Sequence, residues 1–181
     1  MFISDTGVEY VIETARILKN EDIDFLVIGW GQLLDKIKKM IVDYNLSRLT
    51  LHTTFIPAAD LHKMMLECHV MLGQFSSNSR LDRVIQHKNI EAMALGMPFI
   101  TRDSVSNREL HSEGEDCIFV KAADAVDLAR AIVILKNDSK LRDKLSSGAL
   151  KTYQEKLAPE VLSDQVMLVI SQCFRGINGV S

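Results

Sequence analysis

Apolar runs of strand length alternate along most of the chain with amphipathic helical stretches, and this alternation restricts the fold more than any other feature. Residues 7–19 place Val8, Val11, Ile12, Ala15 and Leu18 at helical spacing. Residues 22–31 then read as a buried parallel strand ending in Gly29-Trp30-Gly31, and Leu33, Leu34, Ile37, Met40, Ile41 and Tyr44 line one face of the helix that follows. Further strands are predicted over 49–55, 70–75, 98–101 and 117–120. The intervening helices are predicted over 57–68, 87–95 and 108–111, with others starting at Asp124, Asp138 and Pro159. The fold class this dictates is α/β, a doubly wound, Rossmann-like parallel sheet flanked by helices. One domain is expected over 1–175, with 176–181 a frayed tail. Ligands of such sheets bind beyond the carboxyl ends of the strands, where loops 29–31, 53–57, 75–88 and 102–108 fall.

Composition removes several function classes. With 47% hydrophobic and 25% charged residues in 181, the chain can bury a full core, and no apolar run approaches the length of a membrane span. The net charge of −3 is spread over interspersed Lys, Arg, Asp and Glu, which argues against a nucleic-acid-binding face. Cys68, Cys117 and Cys173 are odd in number and lack C-x-x-C spacing, so a disulfide framework or structural zinc is not expected. A reduced, cytoplasmic compartment fits, and no signal-peptide pattern follows Met1. His52, His62, His69, His87 and His111 have no metal-ligand spacing, so no metal site is predicted. Neither a nucleophile elbow nor a Walker lysine loop occurs, and residues 71–75 lack the acid a response regulator needs. Gly29-Trp30-Gly31 lacks the third glycine of a dinucleotide fingerprint, Leu34 standing in its place, so by itself it reads as a tight turn.

The charge pattern of residues 83–101 is less ordinary. A helix start is electropositive, so a first-turn lysine is normally disfavoured there. Lys88 occupies that turn, with Glu91 one turn on along the same face. Two readings stand side by side. In one, Lys88, the free N–H groups of the turn and Arg83 receive an anion such as a pyrophosphate while Glu91 accepts from sugar hydroxyls. In the other, Lys88 and Glu91 form an exposed i,i+3 pair with no ligand.

The run Arg83-Val-Ile-Gln-His-Lys-Asn-Ile-Glu-Ala-Met-Ala-Leu-Gly-Met-Pro98, followed by Arg108-Glu-Leu-His-Ser-Glu-Gly-Glu-Asp116, resembles the donor-binding half of the retaining GT-B glycosyltransferases often called family 4. The resemblance extends over residues 2–153. It implies one half of a GT-B fold that binds a nucleotide-sugar such as a UDP or GDP sugar and transfers the sugar with retention. No tightly bound cofactor and no metal are implied, so fixed positive groups must stabilise the departing diphosphate. By this resemblance Lys88 holds the diphosphate, Glu91 the ribose hydroxyls and Glu109 a further part of the donor; Gly29 and Gly31 face the nucleotide. Phe55 lies against the base, or is a plain core aromatic. Many members carry a glutamate that touches the donor sugar where this chain has Arg83, so Arg83 is placed with Lys88 as a catalytic, phosphate-binding candidate.

Two parts of the family pattern are not found, the amino-terminal acceptor half and the leading strand from the middle of the sheet. The chain is therefore expected to be a piece of a longer one, inactive without its other half. A gap is expected in the sheet, filled by a neighbouring chain, a rearranged segment or nothing. An exposed apolar face is expected where the missing domain docks, or where a homodimer forms. The acceptor is an unknown sugar or lipid, and location is cytoplasmic, with peripheral association at the inner membrane face as a further expectation. The alternative reading is a non-catalytic nucleotide-binding or assembly module of the same fold.

Overall fold

The computed structural model describes Phe2 and residues 6–178, with side chains up to residue 173. Its elements follow in the order α1 (Val8–Ile17), β1 (Phe25–Ile28), α2 (Leu34–Asp43), β2 (Leu49–His52), α3 (Ala58–Leu66), β3 (Met71–Leu72), a 3-10 helix (Ser79–Arg83), α4 (His87–Ala94), β4 (Phe99–Arg102), α5 (Val105–Leu110), β5 (Ile118–Val120), α6 (Ala125–Asn137), α7 (Ser139–Lys156) and α8 (Pro159–Asn178). Because α8 runs to Asn178, the tail expected over 176–181 is partly helical, and its remainder lies outside the described residues.

All strand pairs are parallel, as βα alternation requires. The four residues of β4 are buried, and successive side chains serve opposite faces. Ile100 joins Val8, Ile12 and Ala15 of α1, Ile37 of α2 and Leu128 and Ile132 of α6 in one apolar cluster. Phe99 joins Met65 of α3, Ala92 and Met93 of α4 and Ala149 of α7 in a second. Helices thus cover both faces of the sheet. Each fully buried Ile, Leu or Phe contributes about 1.5–3 kcal/mol, so these clusters carry the stability of the layers.

The helix ends are fixed by the residues the sequence offers there. Asp124 accepts from the N–H groups of Val126 and Asp127, and Asp138 accepts from that of Leu141. Gly96, at φ 61°, ends α4 in the left-handed conformation that glycine tolerates.

Among the described residues the expected interruption of the sheet is present. β1 and β2 form one sheet and β3, β4 and β5 another. Both contribute to the same cluster, through Phe25 and Val27 on one side and Ile100, Ile118 and Val120 on the other. Phe2 lies beside the end of β1, its N–H donating to the Trp30 carbonyl at 2.6 Å and its carbonyl accepting from the Leu33 N–H at 3.2 Å.

Several boundaries differ from expectation: the strands predicted over 22–31 and 49–55 are Phe25–Ile28 and Leu49–His52, and the helix predicted over 108–111 is Val105–Leu110. The strand predicted over 70–75 is only Met71–Leu72, because β3 has a ladder partner on one side alone and at Phe75 the backbone bonds instead to the Thr6 carbonyl and the Ala123 N–H. The loop expected over 102–108 is mostly α5, which begins at Val105 because Ser104 caps it through the Asn107 N–H.

Candidate functional site

Every parallel strand delivers its following loop to the same edge, and there the residues singled out from the sequence are found. Gly29 and Gly31 follow β1, Phe55 follows β2, Lys88 and Glu91 stand on α4, and Glu109 is exposed on α5. Arg83 is exposed at the end of the 3-10 helix.

Two glycines show how closely the backbone is drawn together here. Gly7 starts α1 at φ 68°, and a Cβ on it would stand 2.4 Å from the Ser76 nitrogen. A Cβ on Gly73 would stand 2.6 Å from Thr101 Oγ1 and 2.9 Å from Asn89 Oδ1. The start of α1 and the backbone after β3 therefore meet at this edge.

Lys88 Nζ donates to the Gly73 carbonyl at 2.8 Å. Burial removes water from the ammonium and lowers its pKa to about 8, an effect that the nearby Glu91 carboxylate opposes. The residue as a whole is half-buried rather than sealed off. Glu91 itself lies 3.4 Å from His87 Nδ1, a contact that becomes an ion pair when the imidazole is protonated. Hence the i,i+3 pairing of Lys88 with Glu91 gives way to two other contacts. The cation of the first turn rests on a neutral carbonyl. A desolvated cation without a carboxylate in hydrogen-bonding contact is an anion-binding group in waiting, and the free N–H groups of the α4 start add to its field.

Beneath Lys88 lies a buried polar network that the sequence did not disclose. Asn89 Nδ2 donates to Thr101 Oγ1 at 3.1 Å, and Asn107 Nδ2 donates to the Arg102 carbonyl at 2.8 Å and to Thr101 Oγ1 at 3.3 Å. It ties α4, β4 and α5 together under the site. The visible signal was Asn89, on the face of α4 that also carries the buried Ala92 and Met93, while Asn107 fell in a stretch read as loop.

At the β1–β2 side, Trp30 is 49% and Phe55 79% exposed. The core-aromatic alternative for Phe55 is thereby excluded. The pairing of Ile28 with His52 brings the two loops out side by side, Trp30 two residues and Phe55 three residues past that pair. Among the described residues no group of three or more His, Cys, Asp or Glu side chains is placed to hold a metal ion, and no helix is long and apolar enough to cross a membrane.

The sequence model of the family described as glycosyl transferases group 1 matches residues 2–152. Among named relatives, the chitobiosyldiphosphodolichol beta-mannosyltransferase of Kluyveromyces lactis is 23% identical over 159 residues, which are 83% of this chain and 35% of that protein. The lipopolysaccharide core biosynthesis glycosyltransferase LpsE of Rhizobium meliloti is 24% identical over 170 residues, 94% of this chain and 47% of that protein. The chain thus spans between a third and a half of these relatives' lengths. Among solved structures, Anabaena Alr3699/HepE in complex with UDP-glucose superposes with a TM-score of 0.80 at 15% identity, over 94% of this chain and 46% of that one. That likeness shows the fold, one half of the GT-B architecture. With the family model covering most of its length, the chain belongs to the glycosyl transferases group 1 family.

Proposed function

We propose that this chain is the donor-binding half of a glycosyltransferase that moves a sugar from a nucleotide-sugar to an acceptor with retention of configuration. The observation that carries the reading is Lys88, a desolvated ammonium at the start of α4 that rests on the Gly73 carbonyl beside unpaired N–H groups. A diphosphate supplies the charge such a site lacks. In this reading Lys88 and Arg83 hold the diphosphate and stabilise its departure without a metal or a resident cofactor. Glu91 accepts from the ribose hydroxyls and Glu109 takes a further part of the donor. Gly29, Gly31 and Phe55 lie toward the nucleoside, the exposure of Phe55 leaving its ring free for a base. UDP-glucose is the ligand of the Anabaena complex, which supports a uridine nucleotide as the first to try. The sugar or lipid nature of the acceptor is left to the other half of the enzyme, and we place the reaction at the cytoplasmic side, with peripheral association at the inner membrane face.

The same proposal includes a partner domain, without which this half is inactive. On α8, Val166, Met167, Leu168, Val169 and Ile170 are each at least 42% exposed, and five consecutive apolar residues face all sides of a helix. A helix apolar all round belongs inside a protein. The relatives' greater length supports a further domain as what covers it, a homodimer being the competing occupant. The rival reading, a non-catalytic nucleotide-binding module, draws on Arg83 standing at the position where many members carry a donor-contacting glutamate.

Thermal shift with UDP, GDP, ADP and their sugar conjugates tests the donor site. A nucleotide at 100 times its dissociation constant stabilises the folded chain by about 2.7 kcal/mol. We expect one nucleotide to raise the midpoint by several degrees in the wild type and not in Glu91→Ala. No shift with any of them removes the donor-site assignment.

A further inference from the structure

Arg102 closes β4 as a buried guanidinium, 5% exposed, at the same edge of the sheet. Its Nη1 donates to the Ser76 carbonyl at 2.6 Å and to the Asn78 carbonyl at 3.1 Å, and its Nη2 is paired with the Asp82 carboxylate. Among the described residues its Nε has no acceptor. Such a cation is expensive to bury and worth little as general stabilisation, because a well-packed apolar side chain serves a core as well. Its contacts say what else it does. All three go to one loop, residues 76–82, and that loop ends in the 3-10 helix whose last residue is Arg83. Three residues before Ser76, the Gly73 carbonyl is held by Lys88. One short length of backbone after β3 is thus gripped twice, by a lysine from α4 and by an arginine from β4.

Asp82 is the informative member. Its side chain is 42% exposed, and it directly precedes Arg83. A carboxylate next to a cation meant for phosphate weakens anion binding by its charge alone, unless its place in the structure returns more than its charge removes.

We propose that the Arg102–Asp82 pair is a positioning device for the donor site, fixing the 76–83 loop so that Arg83 and Lys88 address the same diphosphate. Neither member touches the ligand; both act through Arg83. This rests on the donor-site reading above. Electrostatics and positioning predict opposite signs for removal of Asp82, which makes the inference sharp.

The test is calorimetric titration of the full chain with UDP and with GDP, for wild type, Asp82→Ala, Asp82→Asn, Arg83→Ala and the Asp82→Ala/Arg83→Ala double variant, with unfolding midpoints recorded for each. Expected is a roughly fivefold to tenfold weaker affinity in Asp82→Ala despite the loss of a negative charge, with most of the affinity restored in Asp82→Asn, which keeps an acceptor oxygen. The double variant should bind no more weakly than Arg83→Ala alone. A merely structural pair would lower the midpoint and leave that cycle additive. Binding that is unchanged or tighter in Asp82→Ala, or effects that multiply independently of Arg83, overturn the inference while the donor site stands. A wild type that binds neither nucleotide overturns both.

Discussion

Lys88 is where residue chemistry and function meet most closely. Its pKa is lowered to about 8 from 10.5, so between these values the unfolded chain binds more protons than the folded one and stability rises with pH. Ligand binding runs the other way, since a diphosphate needs the charged ammonium. We expect UDP affinity to fall about tenfold between pH 7 and pH 9 in the wild type, and to be weak and flat over that range in Lys88→Met; titrations at several pH values check this. His111 gives a second titration, away from the site. It is 3% exposed, its ring centroid is 5.0 Å from that of Phe99 in an edge-to-face arrangement, and among the described residues both ring nitrogens are unpaired. Burial, aided by Lys156 and opposed by Asp116, lowers its pKa to about 4 from 6.5. Neutral imidazole is the folded form, so its contribution is intact above pH 6.5 and is lost as pH falls toward 4, by on the order of 2–3 kcal/mol. His111→Phe should flatten that acid limb in denaturant melts taken from pH 7 to pH 4. Lys88 was legible in the sequence because a cation in a first turn is out of place. Asp82 and Arg102 were not, because an arginine at a strand end looks like any solvated residue until the loop above it is seen.

At the scale of elements, the helices were the more legible part. Their apolar stripes and caps are local facts, so the beginnings at Asp124, Asp138 and Pro159 agree with the structure to a residue. Strand lengths are not local. The apolar run 70–75 is cut to two residues because pairing needs a neighbour, and Gly73 instead gives its carbonyl to Lys88. The start of α1 offers a direct test of how tightly the edge is drawn. Gly7→Ala puts a methyl into backbone at 2.4 Å and an L-residue at φ 68°, so a loss of about 2 kcal/mol or more is expected in urea denaturation. Gly114, also at positive φ but with nothing within 4 Å, should lose only the conformational part, about 1–2 kcal/mol, on the same change.

For the whole molecule, the doubly wound class, the parallel pairing and the interrupted sheet followed from the order of strands and helices together with the family resemblance. What is carried on α8 was not legible, since the stretch reads as one more amphipathic helix, whereas Val166 to Ile170 are exposed on every side. Val166→Glu with Val169→Glu should therefore change the stability of this chain by no more than about 0.5 kcal/mol, while abolishing its association with the proposed amino-terminal half on co-expression; melts and size-exclusion profiles separate the two effects. The break between the sheets has a consequence of its own. Trp30 and Phe55 ride on the two-stranded sheet, Lys88 and Glu91 follow the first strand of the three-stranded one, and among the described residues no strand of one sheet pairs with a strand of the other. A nucleotide seated with its base on one side and its phosphates on the other would act as a rivet across the seam. Amide exchange in β1 and in β3 would then slow together on binding, the two sheets being joined through one ligand.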